Sequence, residues 1–342
     1  MIESVFLSSA QPVKTEALIQ TIKQIHNLPI NEDKFKEICF ELYEFQKDNN
    51  RIYAQWLNLL YEVDKPLKNL ADIPFLPISC FKNGLVSCYE HHEIEFTSSS
   101  TTGLGVSRHY IHKTEDYKNT FLAGFKAFSS AQPYDFIAAL LPSYLDRNGS
   151  GLIYMVQHLM EEPGVSGKFY NLDVDSLLQD LTSPENKNKK ILLFGVTFAL
   201  IQFAKFTGKL NLNIDVIETG GMKGKGPEWV REELHTYLCK QWGIQNIYSE
   251  YGMTELTSQA YSHGQGRFIC PPWMKILIQD PSDYTAFLSY GKTGRICVID
   301  LMNYHSCAFI ATDDLGRLNK DGSFEIMGRI DYSDLRGCNL LV

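Results

Sequence analysis

Apolar side chains recur with helical spacing in the first part of the chain. Phe35, Ile38, Cys39 and Leu42 stand at i, i+3, i+4 and i+7, which places them on one face of a helix. A second set repeats this spacing: Tyr53, Trp56, Leu57 and Leu60. We therefore predict helices from residue 12 to about residue 62. Prolines between residues 66 and 77 then end regular helix, so we predict a helical N-terminal region over residues 1–90.

Beyond residue 90 the pattern changes to short apolar runs that alternate with helical segments. This alternation is typical of an α/β sheet with parallel strand pairs, which we predict over residues 91–270. The predicted strands are Phe136–Leu141, Ile191–Val196 and Ile214–Ile217, and the predicted helices are 116–128, 151–160, 197–206 and 228–241.

After residue 270 the chain is rich in strand patterns separated by Gly- and Asp-containing turns. We predict a small β-rich subdomain over residues 271–327 and a short tail over residues 328–342. The predicted strands are Trp273–Ile278, Arg295–Leu301, Ala308–Ala311 and Phe324–Met327.

Composition excludes several classes of protein. The 342 residues are 44% hydrophobic and 21% charged, which is ordinary for a globular protein. The net charge of −8 argues against a general nucleic-acid binder. No window resembles a signal peptide or reaches the ~18 apolar residues of a membrane span. The eight cysteines form no CxxC pair, which argues against a zinc site and favours free thiols in a cytoplasmic protein.

A hydroxyl-rich segment is the first candidate for chemistry. It lacks acidic groups and suits the oxygens of a triphosphate, although a segment of this composition taken alone is typical of a surface linker. Phe96 before it and the strand-like pattern Ser107–Ile111 after it favour the loop of a hairpin. Its candidate nucleotide-binding residues are Ser98, Ser99, Ser100, Thr101, Thr102 and Gly103.

The pentapeptide Tyr251–Glu255 is the second candidate. Tyr251 offers an aromatic face for a nucleobase, Gly252 permits close approach of a planar ligand, and Thr254 can bond a phosphate or an acyl carboxylate. Glu255 can hold Mg²⁺, which prefers a few carboxylates together with phosphate oxygens. A capped helix start with Thr254 and Glu255 in its first turn is a structural alternative compatible with this interpretation.

Three further turns carry candidate residues. Gly220 and Gly221 follow a predicted strand and permit a flat base to approach the backbone. Asp314 can accept both ribose hydroxyls, and Arg329 can pair with phosphate or ribose. Each turn in isolation is more typical of an ordinary surface element. The chain contains neither a P-loop nor a GxGxxG motif.

These motifs, in this order, resemble the adenylate-forming (acyl/aryl ligase) superfamily, and most of all its acyl-protein synthetase (LuxE-type) family. The resemblance covers roughly residues 70 to 342. It implies a large N-terminal α/β domain with mixed and parallel sheets flanked by helices, and a small β subdomain. It also implies that Tyr251 lies against adenine, Thr254 near phosphate, Glu255 on Mg²⁺, Asp314 on the ribose and Arg329 on the nucleotide.

The sequence departs from the superfamily pattern in its loops and at its end. Ser100 replaces the usual Gly of the phosphate loop, and Asp313 replaces the Gly before the ribose acid. The C-terminal lid domain, with its lysine, is expected to be largely absent. In the acyl-protein synthetase family the acyl group moves to a cysteine near the C-terminus, and Cys338 stands where such a residue would be.

The resemblance implies an enzyme that uses ATP and Mg²⁺ to activate a carboxylic acid, expected to be a fatty acid, and transfers it to Cys338 as a thioester. Catalytic roles fall on Thr254, Arg329 and Cys338. Two alternatives stay open: transfer to coenzyme A or a carrier protein, and a catalytically weakened nucleotide-binding partner subunit. The expected partners are the small carboxylic acid, an acyl reductase or acyltransferase subunit or acyl carrier, and copies of the same chain, with no nucleic acid.

Overall fold

The computed structural model describes residues 11–60, 66–98, 105–129, 133–142, 149–222, 226 and 229–330. In these parts of the chain no helix combines the length and the apolar character needed to cross a membrane.

Helices dominate the N-terminal region, as the spacing predicts. Asn31 and Asn50 cap the second and third helices, because their side chains accept hydrogen bonds from the backbone N–H of Lys34 at 2.8 Å and of Tyr53 at 3.0 Å. The predicted apolar face of the second helix is buried, and that of the third is buried at Tyr53 and Leu57 and partly buried at Trp56. The helices are α1 (Gln11–Lys23), α2 (Glu32–Asn49), α3 (Arg51–Leu59) and α4 (Cys80–Asn83), and a two-residue strand, β1 (Leu76–Pro77), precedes α4.

The middle of the chain alternates strands with helices. The predicted helices and strands of this part are found with small shifts at their ends. Two elements escaped prediction, an edge strand at Ser166–Tyr170 and the helix that follows it. The strands are β2 (Ile94–Thr97), β3 (Arg108–Ile111), β4 (Phe136–Leu140), β5 (Ser166–Tyr170), β6 (Ile191–Val196) and β7 (Ile214–Thr219), and the helices are α5 (Thr114–Ser129), α6 (Gly151–Met160), α7 (Val174–Thr182), α8 (Thr197–Thr207) and α9 (Arg231–Trp242).

The last third of the described chain is formed by strands. They are β8 (Tyr248–Tyr251), β9 (Ala260–Ser262), β10 (Arg267–Ile269), β11 (Met274–Asp280), β12 (Asp283–Phe287), β13 (Thr293–Asp300), β14 (Phe309–Leu318) and β15 (Phe324–Arg329). In isolation, Thr312–Arg317 is typical of a turn, but the segment lies inside β14, because β13 and β15 pair with both sides of it. The turn interpretation of this segment is therefore wrong.

A single mixed sheet joins the two halves of the protein. Its strand order is β12-β11-β13-β14-β15-β10-β9-β8-β7-β6-β4-β5, and β1 pairs with β14. The pairs from β5 to β8 are parallel, whereas those from β8 to β12 are antiparallel. The direction therefore changes at β8. The carboxyl ends of parallel strands at such a change are a common place for a ligand.

Two hydrophobic cores lie on the sheet. One is formed by β4, β6 and β7 with the helices between them, and its largest members include Phe121, Phe194 and Trp242. In the other, the N-terminal helices pack against the antiparallel strands, so that Phe35 and Phe309 belong to the same cluster. Tyr251 belongs to the second core, whereas Tyr261 of the adjacent strand belongs to the first. Strand β8 thus lies where the two cores meet. The predicted domain boundaries stay predictions.

Candidate nucleotide site

Three of the sequence-predicted site residues contact one another directly. The hydroxyl of Tyr251, at the end of β8, donates a hydrogen bond of 2.9 Å to Oδ2 of Asp314. Nε of Arg329 donates to Oδ1 of the same carboxylate at 3.3 Å. Asp314 and Arg329 face each other in the register of β14 and β15. The aromatic hydroxyl, the carboxylate and the guanidinium therefore form one cluster.

The surroundings of Asp314 act on the pKa of its carboxyl group in opposite directions. Its side chain is largely buried, and this burial raises the pKa of the carboxyl, while Arg329 and the Tyr251 hydroxyl oppose the rise. The Arg329 side chain is 79% exposed. One end of the cluster is thus buried and the other open to solvent, an arrangement suited to a ligand that binds from outside.

Glu255 carries a buried carboxylate, and the positive charge of Arg329 in the cluster acts on it. Burial raises the pKa of Glu255, and a hydrogen bond from the Ser107 hydroxyl and the positive charges of Arg329 and Lys82 oppose the rise. Arg329 therefore acts on both Glu255 and Asp314. The positive charge of Arg329 thus favours the ionised form of both carboxylates.

Two buried side chains, those of His109 and Asn303, contact the backbone carbonyl groups of Thr254 and Glu255. Nδ1 of His109 lies 2.8 Å from the Thr254 carbonyl oxygen, and Nδ2 of Asn303 donates to the Glu255 carbonyl at 2.9 Å. Nε2 of His109 and Oδ1 of Asn303 are 3.0 Å apart, which links the two supports. This segment is a turn, in which the Leu256 N–H donates to the Met253 carbonyl. The alternative of a helix start at this position is therefore wrong.

Asp300 holds the next residues of the same loop. Its Oδ2 accepts hydrogen bonds from the backbone N–H of Thr257 at 2.9 Å and of Ser258 at 2.8 Å, and its Oδ1 accepts from the Ser258 hydroxyl at 2.7 Å. Burial raises the pKa of Asp300, and these donors oppose the rise. The loop after β8 thus has a fixed shape from Thr254 to Ser258.

The base of the hydroxyl-rich segment adjoins Glu255. Strands β2 and β3 form the predicted antiparallel hairpin. Ser98 and Ser107 close it, because the Ser98 N–H donates to the Ser107 carbonyl at 3.0 Å and the Ser107 N–H donates to Oγ of Ser98 at 2.9 Å. The Ser107 hydroxyl in turn donates to the Glu255 carboxylate. The predicted binding residues Ser99, Ser100, Thr101, Thr102 and Gly103 lie outside the described residues.

The predicted glycines border the same strand ends. Gly220, with a φ of +73°, and Gly221 follow directly after β7. A Cβ at Gly252 would overlap the carboxylate of Glu250, so that carboxylate would have to move to admit a larger residue. These glycines lie at the carboxyl ends of the neighbouring parallel strands β7 and β8.

Cys338 also falls outside the described residues. Sequence reasoning missed several residues of the site, because no motif distinguishes an isolated histidine, asparagine or serine from a core residue. The alternating pattern of β3 indicates that His109 points inward, but not which residues it contacts. The missed residues are Lys82, Ser107, His109, Asp300 and Asn303.

Comparison with known families agrees with the geometry. A family model described as acyl-protein synthetase, LuxE, matches residues 155–342, which is more than half of the chain. A comparison with curated proteins found no match.

Solved structures share the fold at low sequence identity. A 2-hydroxyisobutyryl-CoA ligase in an open conformation matches with a TM-score of 0.66 and 13% identity, over 97% of this chain and 76% of that one. ATP-bound MatB from Rhodopseudomonas palustris matches with a TM-score of 0.52 and 16% identity, over 69% and 47% of the two chains. MenE from Bacillus subtilis, in complex with ATP and magnesium ion, matches with a TM-score of 0.51 and 16% identity, over 69% and 49%. The matched parts thus span about half of the MatB and MenE chains.

The fold of the described chain is therefore that of the adenylate-forming enzymes, with a mixed sheet flanked by helices and an antiparallel β part. Because the family model matches more than half of the chain, the chain belongs to the LuxE family of acyl-protein synthetases.

Proposed function

We propose that this protein activates a carboxylic acid with ATP, as an acyl adenylate, and then transfers the acyl group to its own Cys338. The acid is expected to be a fatty acid. The observation that carries the proposal is the cluster in which the Tyr251 hydroxyl and the Arg329 guanidinium both donate to the Asp314 carboxylate. A ribose acceptor held by a guanidinium, together with the buried carboxylate of Glu255 four positions after Tyr251, suits a single Mg²⁺-bound mononucleotide.

The first step is a displacement at the α-phosphorus of ATP. A carboxylate oxygen of the acid forms the new bond to phosphorus, and pyrophosphate leaves with the electron pair of the broken bond. Arg329 and the backbone around Thr254 would stabilise the negative charge that develops on the phosphoryl oxygens. Tyr251 and Arg329 hold the Asp314 carboxylate, which would orient the ribose.

Glu255 would hold the magnesium ion. No group of three or more potential metal-ligating side chains occurs among the described residues. A single buried carboxylate nevertheless fits Mg²⁺ in a nucleotide site, because this ion takes few protein ligands and completes its shell with phosphate oxygens and water. When bound, the ion supplies charge stabilisation to the phosphates. Positive charge there would also offset the burial that raises the pKa of Glu255.

The second step is acyl transfer. The Cys338 thiolate would attack the carbonyl carbon of the adenylate, and AMP would leave as a thioester forms. An acceptor on the same chain has a high effective concentration, of order 10⁵ M or more in favourable intramolecular cases. The supporting observation is membership of a family described as acyl-protein synthetases.

The proposal is tested by supplying ATP, Mg²⁺ and labelled fatty acids and measuring acid-dependent ATP–pyrophosphate exchange and hydroxylamine-labile label on the protein. We expect both signals in the unaltered chain. Cys338→Ser should keep the exchange and lose the label. Cys239→Ser is the matched control, because Cys239 is half-buried on α9 and its burial raises the pKa of the thiol. Label of equal strength on Cys338→Ser would exclude the tail thiol.

A second candidate is transfer of the acyl group to free coenzyme A. It is favoured by the match to a 2-hydroxyisobutyryl-CoA ligase over 97% of this chain. Thioester that appears on added coenzyme A, while the protein itself remains unlabelled, would support this function over the first. Both candidates share the adenylation step and require the same nucleotide site.

A further inference from the structure

A row of polar side chains lies on one face of β7, β8 and the start of β9, next to the nucleotide site. Glu250 and Tyr261 are opposite each other in the register of β8 and β9. The Thr219 hydroxyl, at the end of β7, donates a hydrogen bond to the Glu250 carboxylate. A Cβ placed on Gly252 would meet both Glu250 and Gln259. We call Thr219, Glu250, Gln259 and Tyr261 the polar row.

Two members of the polar row have buried atoms without a partner. Gln259 is 6% exposed and Tyr261 is 4% exposed. The Oε1 atom of Gln259 and the hydroxyl of Tyr261 find no hydrogen-bond partner in the described part of the chain. A buried polar atom left unpaired destabilises a protein by about 1–3 kcal/mol. Two such atoms in one row are unusual unless something binds there.

The Tyr261 ring is held firmly, so its hydroxyl has a defined position. The ring stacks on Phe128 with centroids 4.6 Å apart and meets Phe125 edge-on at 6.0 Å. Burial and the nearby charges of Glu250 and Tyr117 keep the pKa of Tyr261 well above its usual range. The hydroxyl therefore stays protonated and lies close to Glu250.

Glu250 supplies the acceptor of the row. Burial raises the pKa of Glu250 to about 7, and Glu218 adds to the rise while the Thr219 hydroxyl opposes it. Part of the surface of residue Glu250 is still open to solvent, so the residue lies at the edge of the packed core. Within the described chain, the Glu250 carboxylate accepts one hydrogen bond, from the Thr219 hydroxyl to Oε2. Its Oε1 atom can accept another.

The row is close to the site of adenylation. Glu250 directly precedes Tyr251 and stands four positions before Thr254, a reach of at most roughly 14 Å along the chain. Gly252 lies between them in the sequence and carries no side chain. The apolar rings of Phe125 and Phe128 border the Tyr261 end of the row.

We propose that the polar row binds the carboxylic acid to be activated, and that this acid carries a hydrogen-bond donor, a hydroxyl or an ammonium group, which Glu250 and Gln259 accept. This inference rests on the proposed adenylation activity. An ammonium group can donate to Oε1 of both Glu250 and Gln259, whereas a hydroxyl group can donate to one of them, and the Tyr261 hydroxyl donates to an oxygen of the acid. An unsubstituted alkyl chain in this position offers no donor to Oε1 of Glu250 or of Gln259, and it leaves the buried Gln259 atom unpaired.

The test compares acids of equal chain length in ATP–pyrophosphate exchange: a plain fatty acid, its hydroxylated analogue and its amino analogue. We expect kcat/KM to be at least about tenfold higher for one of the substituted acids, because a site built to hydrogen-bond a group rejects the analogue that lacks it. A preference for the hydroxy acid assigns a hydroxyl ligand, and a preference for the amino acid assigns an ammonium ligand. Equal values, or a preference for the plain acid, would overturn the proposal.

Variants locate the preference. Glu250→Gln and Tyr261→Phe keep the shape of the row and remove one polar contribution each, so both should reduce the ratio between substituted and plain acid by about fivefold or more. Tyr134→Phe is the control, because its hydroxyl donates to Asp215 at 2.9 Å, away from the row. A ratio that stays unchanged in both row variants contradicts the assignment.

A binding measurement separates this inference from the proposed function. Calorimetric titration of the same three acids is done with a non-hydrolysable ATP analogue present. If the substituted acid binds more tightly but no acid supports exchange, adenylation is wrong and the polar row is an acid-binding site. If exchange occurs with plain acids and no acid is preferred in either assay, adenylation stands and the inference fails.

Discussion

Tyr251 and Asp314 are 63 positions apart in the chain and are joined by a hydrogen bond of 2.9 Å between the phenol and Oδ2 of the carboxylate. The bond links the end of a parallel strand, β8, to the middle of an antiparallel one, β14. The Tyr251 ring is also packed edge-on against Phe268 and Phe324, at centroid distances of 6.0 and 5.5 Å. The orientation of Asp314 therefore depends on a tyrosine fixed by core packing.

Tyr251→Phe should loosen Asp314 and raise the KM for ATP in pyrophosphate exchange by about fivefold to thirtyfold. A hydrogen bond to a charged group contributes about 1.5–3 kcal/mol, and part of this is retained through Arg329. The matched control is Tyr134→Phe, which removes another phenol that donates to an aspartate. A KM for ATP that rises equally in both variants would contradict a specific role of the Tyr251 hydroxyl.

Arg329→Gln should reduce activity strongly and stability little. The side chain is 79% exposed, and exposed ion pairs contribute about 0–1 kcal/mol to folding, so the melting temperature should change little. The KM for ATP should rise at least about tenfold, because a charge-assisted contact with the nucleotide is lost. Arg317→Gln is the control, since Arg317 pairs with Glu325 on the same two strands at 2.7 Å. Normal ATP kinetics in Arg329→Gln would remove the central observation of the proposed function.

His109 and Asn303 should act as one support for the turn at Thr254 and Glu255. Each single change to Ala leaves a carbonyl without its donor and should lower the free energy of unfolding by about 1–3 kcal/mol. Because the two side chains contact each other at 3.0 Å, the double variant should cost less than the sum of the single ones. Urea unfolding of all three variants measures this. His112→Ala is the control, because His112 is half-buried, stacks on Tyr89 and bonds to the His91 carbonyl rather than to the turn.

Additive free energies for His109→Ala and Asn303→Ala would show that the two residues do not form a single support. The exchange rate adds a functional readout. If the turn positions Glu255, the variants should need more Mg²⁺ for half-maximal exchange than His112→Ala does. ATP binding measured by calorimetry with and without Mg²⁺ should show the same difference.

Glu250 should make stability depend on pH in the weakly acidic range. Its pKa is about 7 in the folded protein and close to 4.5 in the unfolded chain. The folded state therefore binds more protons than the unfolded state between these values, and stability falls as the pH rises from about 4.5 to 7. The loss from this group is at most roughly 3 kcal/mol.

Glu250→Gln should remove this pH-dependent contribution. The free energy of unfolding of the variant, relative to that of the unaltered protein, should therefore increase as the pH rises. Denaturant unfolding at pH 5 and at pH 7.5 measures this difference. The groups that face Glu250 are Glu218, Tyr117 and Tyr261, and the pKa of each tyrosine is raised far above this window. A difference that is equal at both pH values would contradict the raised pKa of Glu250.

Much of the architecture follows from local pattern. The four-residue spacing of Phe35, Cys39 and related positions is enough to predict α2, because an apolar stripe of this period buries itself only as a helix. The fully apolar run Ile191–Val196 predicts β6 for the same kind of reason, since a strand buried on both faces needs no polar positions. Edge strand β5 escaped because its exposed residues carry no periodic signal.

The candidate site also combines features that the sequence predicts with features that it does not. The sequence by itself determined which segments carry phosphate- and metal-suited chemistry, because Tyr251, Glu255, Asp314 and Arg329 belong to short motifs whose residue types are restricted. It did not determine that Thr312–Arg317 is a strand, since Asp and Gly favour turns locally and the pairing with β13 and β15 overrides that preference.

Only the tertiary structure decided how these segments are joined. Contacts such as those of His109 with Thr254, His109 with Asn303 and Ser107 with Glu255 connect positions up to 194 residues apart within the site. Local sequence cannot specify such pairs, because hydrogen bonding between distant side chains depends on sheet order and register. The change of strand direction at β8 brings the two halves of the chain together, and with them the groups that the motifs carry.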